Sequence, residues 1–157
     1  MDDSARFRQV LGHFPTGVVI ITASPPSGPV GMSVGSFTSV SLDPPLVGFL
    51  PGKNSTSWPG IAEAGTFGVN LLASDQEELS RVFASKTEGK FDGLGWKPGA
   101  TGAPLLEGVL AHIECSIESI SEAGDHWWVM GRVQELDVLH EGVPLVFYRG
   151  GYGRFSP

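Results

Sequence analysis

The chain has 157 residues, with 10 Lys+Arg against 17 Asp+Glu, a net charge of −7, and 41% hydrophobic and 17% charged residues. That describes one globular domain, 1–157, with room for a core and little room for a second. The acidic balance excludes a general nucleic-acid binder, and no apolar run approaches the roughly 20 residues of a membrane span.

The first predicted element is a helix. Phe7, Val10, Leu11 and Phe14 fall at i, i+3, i+4 and i+7, with Ser4 or Asp3 as cap and Gly12 near the end. Gly17–Ala23 is a β-branched run, 24–29 a Pro/Ser/Gly turn and Val30–Gly35 a second strand, together a hairpin. Phe37–Ser41 continues extended, Asp43-Pro44-Pro45 turns the chain, and Leu46–Leu50 is a third apolar strand. A short helix follows, capped by Ser57, with Pro59 in its first turn and Gly65 at its close. Thr66–Leu72 is a strand, and Ser74–Glu77 reads as a capping box opening a helix with Leu79, Val82 and Phe83 on its apolar side. A glycine-rich connection spans 88–104. Then Val109, Ala111, Ile113, Cys115 and Ile117 alternate with polar residues as a half-buried strand. Asp125–Leu139 is a long strand whose apolar phase shifts near Gln134 and Glu135, predicting a bulge. Pro144–Tyr148 is the final strand. About seven strands with short helices predict a mainly β fold, a closed or split antiparallel barrel.

Three features could carry chemistry. Lys53, Asn54, Ser55, Thr56, Ser57 and Trp58 join a strand end to a helix start, so hydroxyls, an amide and a lysine surround free N–H groups that suit a phosphate; a plain polar loop with a serine cap reads equally well. The stretch Gly31–Ser41, with Ser33, Val34, Gly35, Ser36, Phe37 and Ser39, is rich in small and hydroxyl residues that let a flat ligand lie against backbone; small-residue packing at a strand edge is the alternative. His126 opens a strand at the Gly124-Asp125 turn, where it could move a proton or orient a cofactor, or simply be solvated. No metal set is expected, because Cys115 points away from His112 and Glu114. Cys115 shares an apolar face with Ile113 and Ile117, which argues against a nucleophile. No glycine fingerprint of a Rossmann site is present. The four lysines, Lys53, Lys86, Lys90 and Lys97, all lie in the middle of the chain, a local supply of donors for a small anion. The lone cysteine and the acidic start, Asp2-Asp3, lead to the expectation of a cytoplasmic, non-secreted protein.

Taken in order, these pieces resemble the flavin reductase-like family, the FMN-binding split-barrel reductases of two-component monooxygenases. The matching segments are 13–18 (His-Phe-Pro-Thr-Gly-Val), 31–46, 66–71, Lys90-Phe91, 102–105, 124–126 and 144–152. The resemblance runs from Phe7 to about Phe155. It implies a Greek-key split barrel, a homodimer with flavin sites at or beside the interface, and an NAD(P)H-dependent reduction of FMN or FAD. By the same resemblance Ser33–Phe37 line the isoalloxazine ring, Lys53–Trp58 hold the phosphate and ribityl chain, and Thr16, His126 and Tyr152 border the nicotinamide. NADH or NADPH would be co-substrate, and reduced flavin would pass to a separate oxygenase. Gly35, where many relatives carry a side chain, and Lys53, the one basic residue of its segment, depart from the pattern. Two other readings compete: a flavin carrier or electron-transfer module without turnover, and a cofactor-free interaction barrel.

Overall fold

A computed structural model describes residues 2–157. In chain order the elements are α1 (Asp3–Leu11), β1 (Thr16–Gly17), β2 (Val19–Ala23), β3 (Val30–Val34), β4 (Thr38–Ser41), β5 (Leu46–Phe49), α2 (Trp58–Ala64) and β6 (Thr66–Leu71). There follow α3 (Glu77–Ala84), β7 (Trp96–Pro98), β8 (Pro104–Leu106), β9 (Ala111–Ala123), β10 (His126–Val138), β11 (Leu145–Tyr148) and β12 (Gly151–Arg154). Seven strands form one antiparallel sheet in the order β3-β2-β6-β9-β10-β5-β4, and β1-β11-β12 form a smaller one.

The edge strands β3 and β4 stand at opposite ends of that order, yet only Gly35, Ser36 and Phe37 separate them in the chain. So short a link reaches at most about 14 Å, so the sheet must curl until its edges nearly meet. The result is a split barrel. The strand β2 is its shared wall, buried on both faces. Ile21 joins Phe49, Ile61, Phe67, Val69, Cys115 and Val129 in one core cluster. Ile20 points the other way, joining Leu72, Phe83, Leu106, Val109 and Leu145. This two-sided burial explains the unbroken β-branched run where a half-buried strand would alternate. The polar groups inside the wall are satisfied: Asn70 Nδ2 donates to Ile20 O at 3.0 Å, and its Oδ1 accepts from Leu106 N at 2.9 Å.

Several local expectations need correction. The run 17–23 is broken at Val18, where the chain leaves β1 and enters the barrel at β2. The cap of α1 is Asp2, which accepts from Ala5 N at 2.8 Å, not Asp3 or Ser4. The capping box at 74–77 does not form: Gln76 is the N-cap residue of α3, and its Oε1 turns back to Ala73 N. Ser57 holds the N-cap position of α2, but its hydroxyl donates to Gly31 O at 2.9 Å. Ser55 Oγ accepts from Ser57 N and Trp58 N instead, both at 3.2 Å. The bulge is found where the phase shift put it, between Val133 and Glu135, with a second irregularity at Met130/Gly131. Glu114, expected on a solvent face, is buried under the 99–101 loop and accepts from Thr101 N and Oγ1 at 2.9 and 2.6 Å.

Candidate functional site

The free edge of β3 is the centre of the site. On one side the 53–58 loop closes over it, through the Ser57–Gly31 bond and a Ser55 Oγ contact to Met32 Sδ at 3.7 Å. On the other side lies α3, whose Phe83 fits against β3 because position 31 is glycine: a Cβ there would stand 2.8 Å from the Phe83 ring. Lys90 Nζ reaches in from the 85–95 loop and donates to Gly31 O at 3.2 Å and Phe83 O at 3.4 Å. Burial holds this ammonium below its ordinary lysine pKa. Because Gly31 O takes side-chain donors, its backbone faces away from β2, and the two-residue period turns the Ser33 backbone the same way.

The predicted ring-lining residues fall into different surroundings. Ser33 Oγ donates to Ser80 O at 2.8 Å, and Val34 is buried. Ser36 Oγ accepts from Leu50 N at 3.0 Å, which ties the 35–37 corner to the strand end leading into the 53–58 loop. Phe37 packs against the main core. Ser39 lies on β4 opposite Val47, exposed, and is not brought to the β3 edge. At Gly35 a Cβ would stand 2.8 Å from Thr16 Oγ1, so Thr16 occupies the space a side chain would need. Gly35 borders two cavities. One of 530 Å³ is mainly apolar and includes Phe14, Thr16, Phe37 and Leu145; the other, of 160 Å³, is lined by Ser33, Ser80, Phe147 and Tyr152 among others.

The expected phosphate segment is also divided. Trp58 is a core residue, edge-on to Phe49 at 6.2 Å, and Ser57 is buried. Lys53 Nζ pairs with Glu122 at 2.8 Å and lies 4.8 Å from the Trp127 ring. Asn54 and Thr56 remain exposed. Beside Lys53 is His126, bridged through its backbone to Gly52, with Nδ1 2.7 Å from Asp125 Oδ1. That hydrogen bond and the ring's charge hold the Asp125 carboxyl below its ordinary value. Tyr152 stands apart from this pair, its hydroxyl 2.8 Å from Ser80 Oγ. The predicted residues thus form two separate groups: His126 with Lys53 and Asn54 at the 52–54 turn, and Tyr152 with Ser33, Gly35 and, through Gly35, Thr16.

The family described as flavin reductase like domain matches residues 11–156. The chain belongs to that family. It is 54% identical over 155 residues to a flavin reductase of Pseudomonas putida, spanning 98% of this chain and 91% of that protein. It is 48% identical over 155 residues to HsaB, the reductase subunit of a flavin-dependent monooxygenase of Rhodococcus jostii, over 99% and 80% of the two chains. A solved structure of the Streptomyces globisporus NADH:FAD oxidoreductase SgcE6, in complex with NAD and FAD fragments, matches with TM-score 0.93 at 39% identity, over 99% and 94% of the chains.

Within this flavin reductase-like chain, sequence reasoning did not connect three residues with the β3 edge. Lys86 and Lys90, with Thr56 and Ser57, line a 660 Å³ cavity against 28–31, so basic groups near the segment come from a loop thirty residues downstream. The signal was present in the clustering of lysines, but without the fold nothing connected 86–90 to 53–58. Ser80 carried no signal, since a serine inside a helix resembles any surface position. Among the described residues no cluster of three or more His, Cys, Asp or Glu is placed to hold a metal ion, and no helix is long and apolar enough to cross a membrane.

Proposed function

We propose that this chain is the NAD(P)H-dependent flavin reductase of a two-component monooxygenase, reducing FMN or FAD and supplying reduced flavin to a separate oxygenase. The observation that carries this reading is the β3 edge that pairs with no further strand, with a cavity lined by Gly31, Thr56, Lys86 and Lys90 on one side and two more that meet at Gly35. A flat ring with an anionic tail fits both halves of that description. When bound, the flavin supplies the hydride acceptor for the nicotinamide.

The residues of this chain then bind and orient. Backbone groups from Ser33 to Ser36 offer fixed donors that favour the negative charge of the reduced ring. Asn54, Thr56, Lys86 and Lys90 hold the phosphate end, with Lys53 at the His126 side. Asp125 fixes the His126 ring through Nδ1, which presents Nε2 for contact with the co-substrate or for a proton. Thr16 and Tyr152 border the nicotinamide from the two cavities that meet at Gly35.

The protein acts as a homodimer in the cytoplasm. What supports the dimer is α1, whose stripe is bare: Phe7 is 66% exposed, Val10 63%, Leu11 51%, and Phe14, just beyond the helix, 72%. An apolar face of that kind on a stable protein marks a protein contact, and Phe14 also lines the cavity at Gly35.

The test is oxidation of NADH and NADPH with FMN, with FAD and without flavin. Flavin-dependent turnover is expected, and His126→Ala should lower it on the order of 100-fold. Flavin binding without turnover would identify a carrier instead, and an unchanged His126→Ala rate would remove that residue from the reaction.

A further inference from the structure

One cation beside the Tyr152 cavity has no part in the flavin site described above. Arg81 follows Ser80 on α3, and its guanidinium carbon stands 4.9 Å from the centroid of the Tyr152 ring. Its Nε and Nη2 both donate to a single oxygen, Glu77 Oε2, at 3.0 and 2.7 Å. Among the described residues nothing bonds Nη1, and the side chain is 56% exposed. The ring beneath is fixed as well. Tyr152 OH and Ser80 Oγ are 2.8 Å apart, and Phe147 meets the ring edge-on at 5.2 Å. The guanidinium is therefore held against the Tyr152 ring, itself part of the lining of the 160 Å³ cavity, before any ligand arrives.

The other cations near the β3 edge belong to the flavin end, Lys86 and Lys90 lining the cavity at 28–31. Lys53 pairs with Glu122 at the far, His126 side, and Lys90 is turned inward onto two carbonyls. A nicotinamide dinucleotide carries a diphosphate between its nucleosides, and a chain of net charge −7 repels it except where a cation is placed locally. A guanidinium fork suits phosphate oxygens better than an ammonium does.

We propose that Arg81 binds the diphosphate of the nicotinamide co-substrate, with Glu77 and Tyr152 holding its guanidinium in place. This rests on the reductase reading and on Tyr152 bordering the nicotinamide. It assigns the co-substrate's charge to α3 and its reactive ring to the cavity at Gly35.

The experiment compares wild type, Arg81→Ala and Arg81→Lys with two hydride donors: NADH, and N-benzyl-dihydronicotinamide, which has the same reactive ring and no phosphate. Arg81→Ala should raise KM for NADH about ten-fold, the factor equivalent to about 1.4 kcal/mol. Its kcat, its flavin affinity by fluorescence quenching and its KM for the phosphate-free donor should all stay at wild-type values. Arg81→Lys should recover part of the loss. An equal rise in KM for both donors would show that Arg81 acts only through packing on Tyr152, and no rise for either would show that it has no role; each overturns the proposal. A wild type that binds flavin but oxidises neither donor would overturn the reductase reading. In that case calorimetry of NAD binding to wild type and Arg81→Ala still tests the contact, equal affinities counting against it.

Discussion

The helices α1 and α3 carry the same kind of pattern and meet opposite fates. Each is short, and each sets apolar residues at i, i+3 and i+4 or a close variant. On α3 the stripe is used within the chain: Phe83 is 1% exposed, Leu79 and Val82 pack beside it, and Gly31 clears the space on β3. On α1 no residue is buried. Just beyond that helix the chain is tied to the body, where Arg149 N donates to Gly12 O at 2.9 Å and His13 meets Tyr148 edge-on at 6.3 Å. The lesson is that periodicity reports an apolar face and leaves open what covers it. The barrel covers one face, and a second copy of the chain is the proposed cover for the other.

The largest effect should come from the helix the barrel does cover. Phe83→Ala removes a ring packed under β3, with Phe91 edge-on at 5.1 Å. A loss of about 3–5 kcal/mol in denaturant unfolding is expected, and flavin binding should weaken with it because β3 loses its support. A loss below about 1 kcal/mol would mean that α3 is not docked as described. The next effect belongs to the other helix. Phe7→Asp combined with Leu11→Asp should convert the dimer to a folded monomer, read by light scattering together with circular dichroism. Persistence of the dimer would assign the interface elsewhere, for instance to the exposed Leu136 and Val138 of β10.

This contrast also explains what was legible beforehand. The strands of the large sheet were readable because they carry β-branched runs and alternation, and even the β10 bulge left a phase shift at Gln134/Glu135; the short β7, β8 and the glycine-rich β12 carry neither signal and were not read. Cap positions were misread at α1 and α3; at α2 the position, Ser57, was right, but its hydroxyl serves Gly31 instead of the helix start. The small residues of β3 and the resemblance pointed to this strand as the candidate site. The separation of His126 from Tyr152 was not legible, because β10 and β12 belong to separate sheets. Lys86 and Lys90 were legible as donors but not as neighbours of β3, and Ser80 not at all, because they meet β3 only through the docking of α3 and the loop after it.

A smaller effect sharpens the comparison at the third helix, α2, which is held at its start by a side chain outside it. Ser55→Ala deprives Ser57 N and Trp58 N of their shared acceptor. A cost of about 1 kcal/mol is expected, with the 53–58 loop loosened and flavin affinity reduced. Unchanged stability would show that water replaces the hydroxyl freely.

The smallest effect at neutral pH is expected at Cys115, the interior counterpart of the bare α1 stripe. Its thiol faces the sealed barrel on β9, opposite Phe67 on β6, and is fully buried. Burial first, and then the Glu114 charge, push it from its ordinary 9.0 up to about 12. A thiol raised in the fold binds its proton more tightly there than in the unfolded chain. Its contribution to stability is whole below 9.0 and is lost as pH climbs towards about 12. Native protein at mildly alkaline pH should therefore resist iodoacetamide, while protein in denaturant reacts at once. Cys115→Ala should flatten the alkaline decline in stability, whatever its packing cost at neutral pH. Equal alkylation of native and unfolded protein would mean that the barrel opens at β6 and β9, and would undo the distinction between a closed interior and an exposed helix on which the comparison rests.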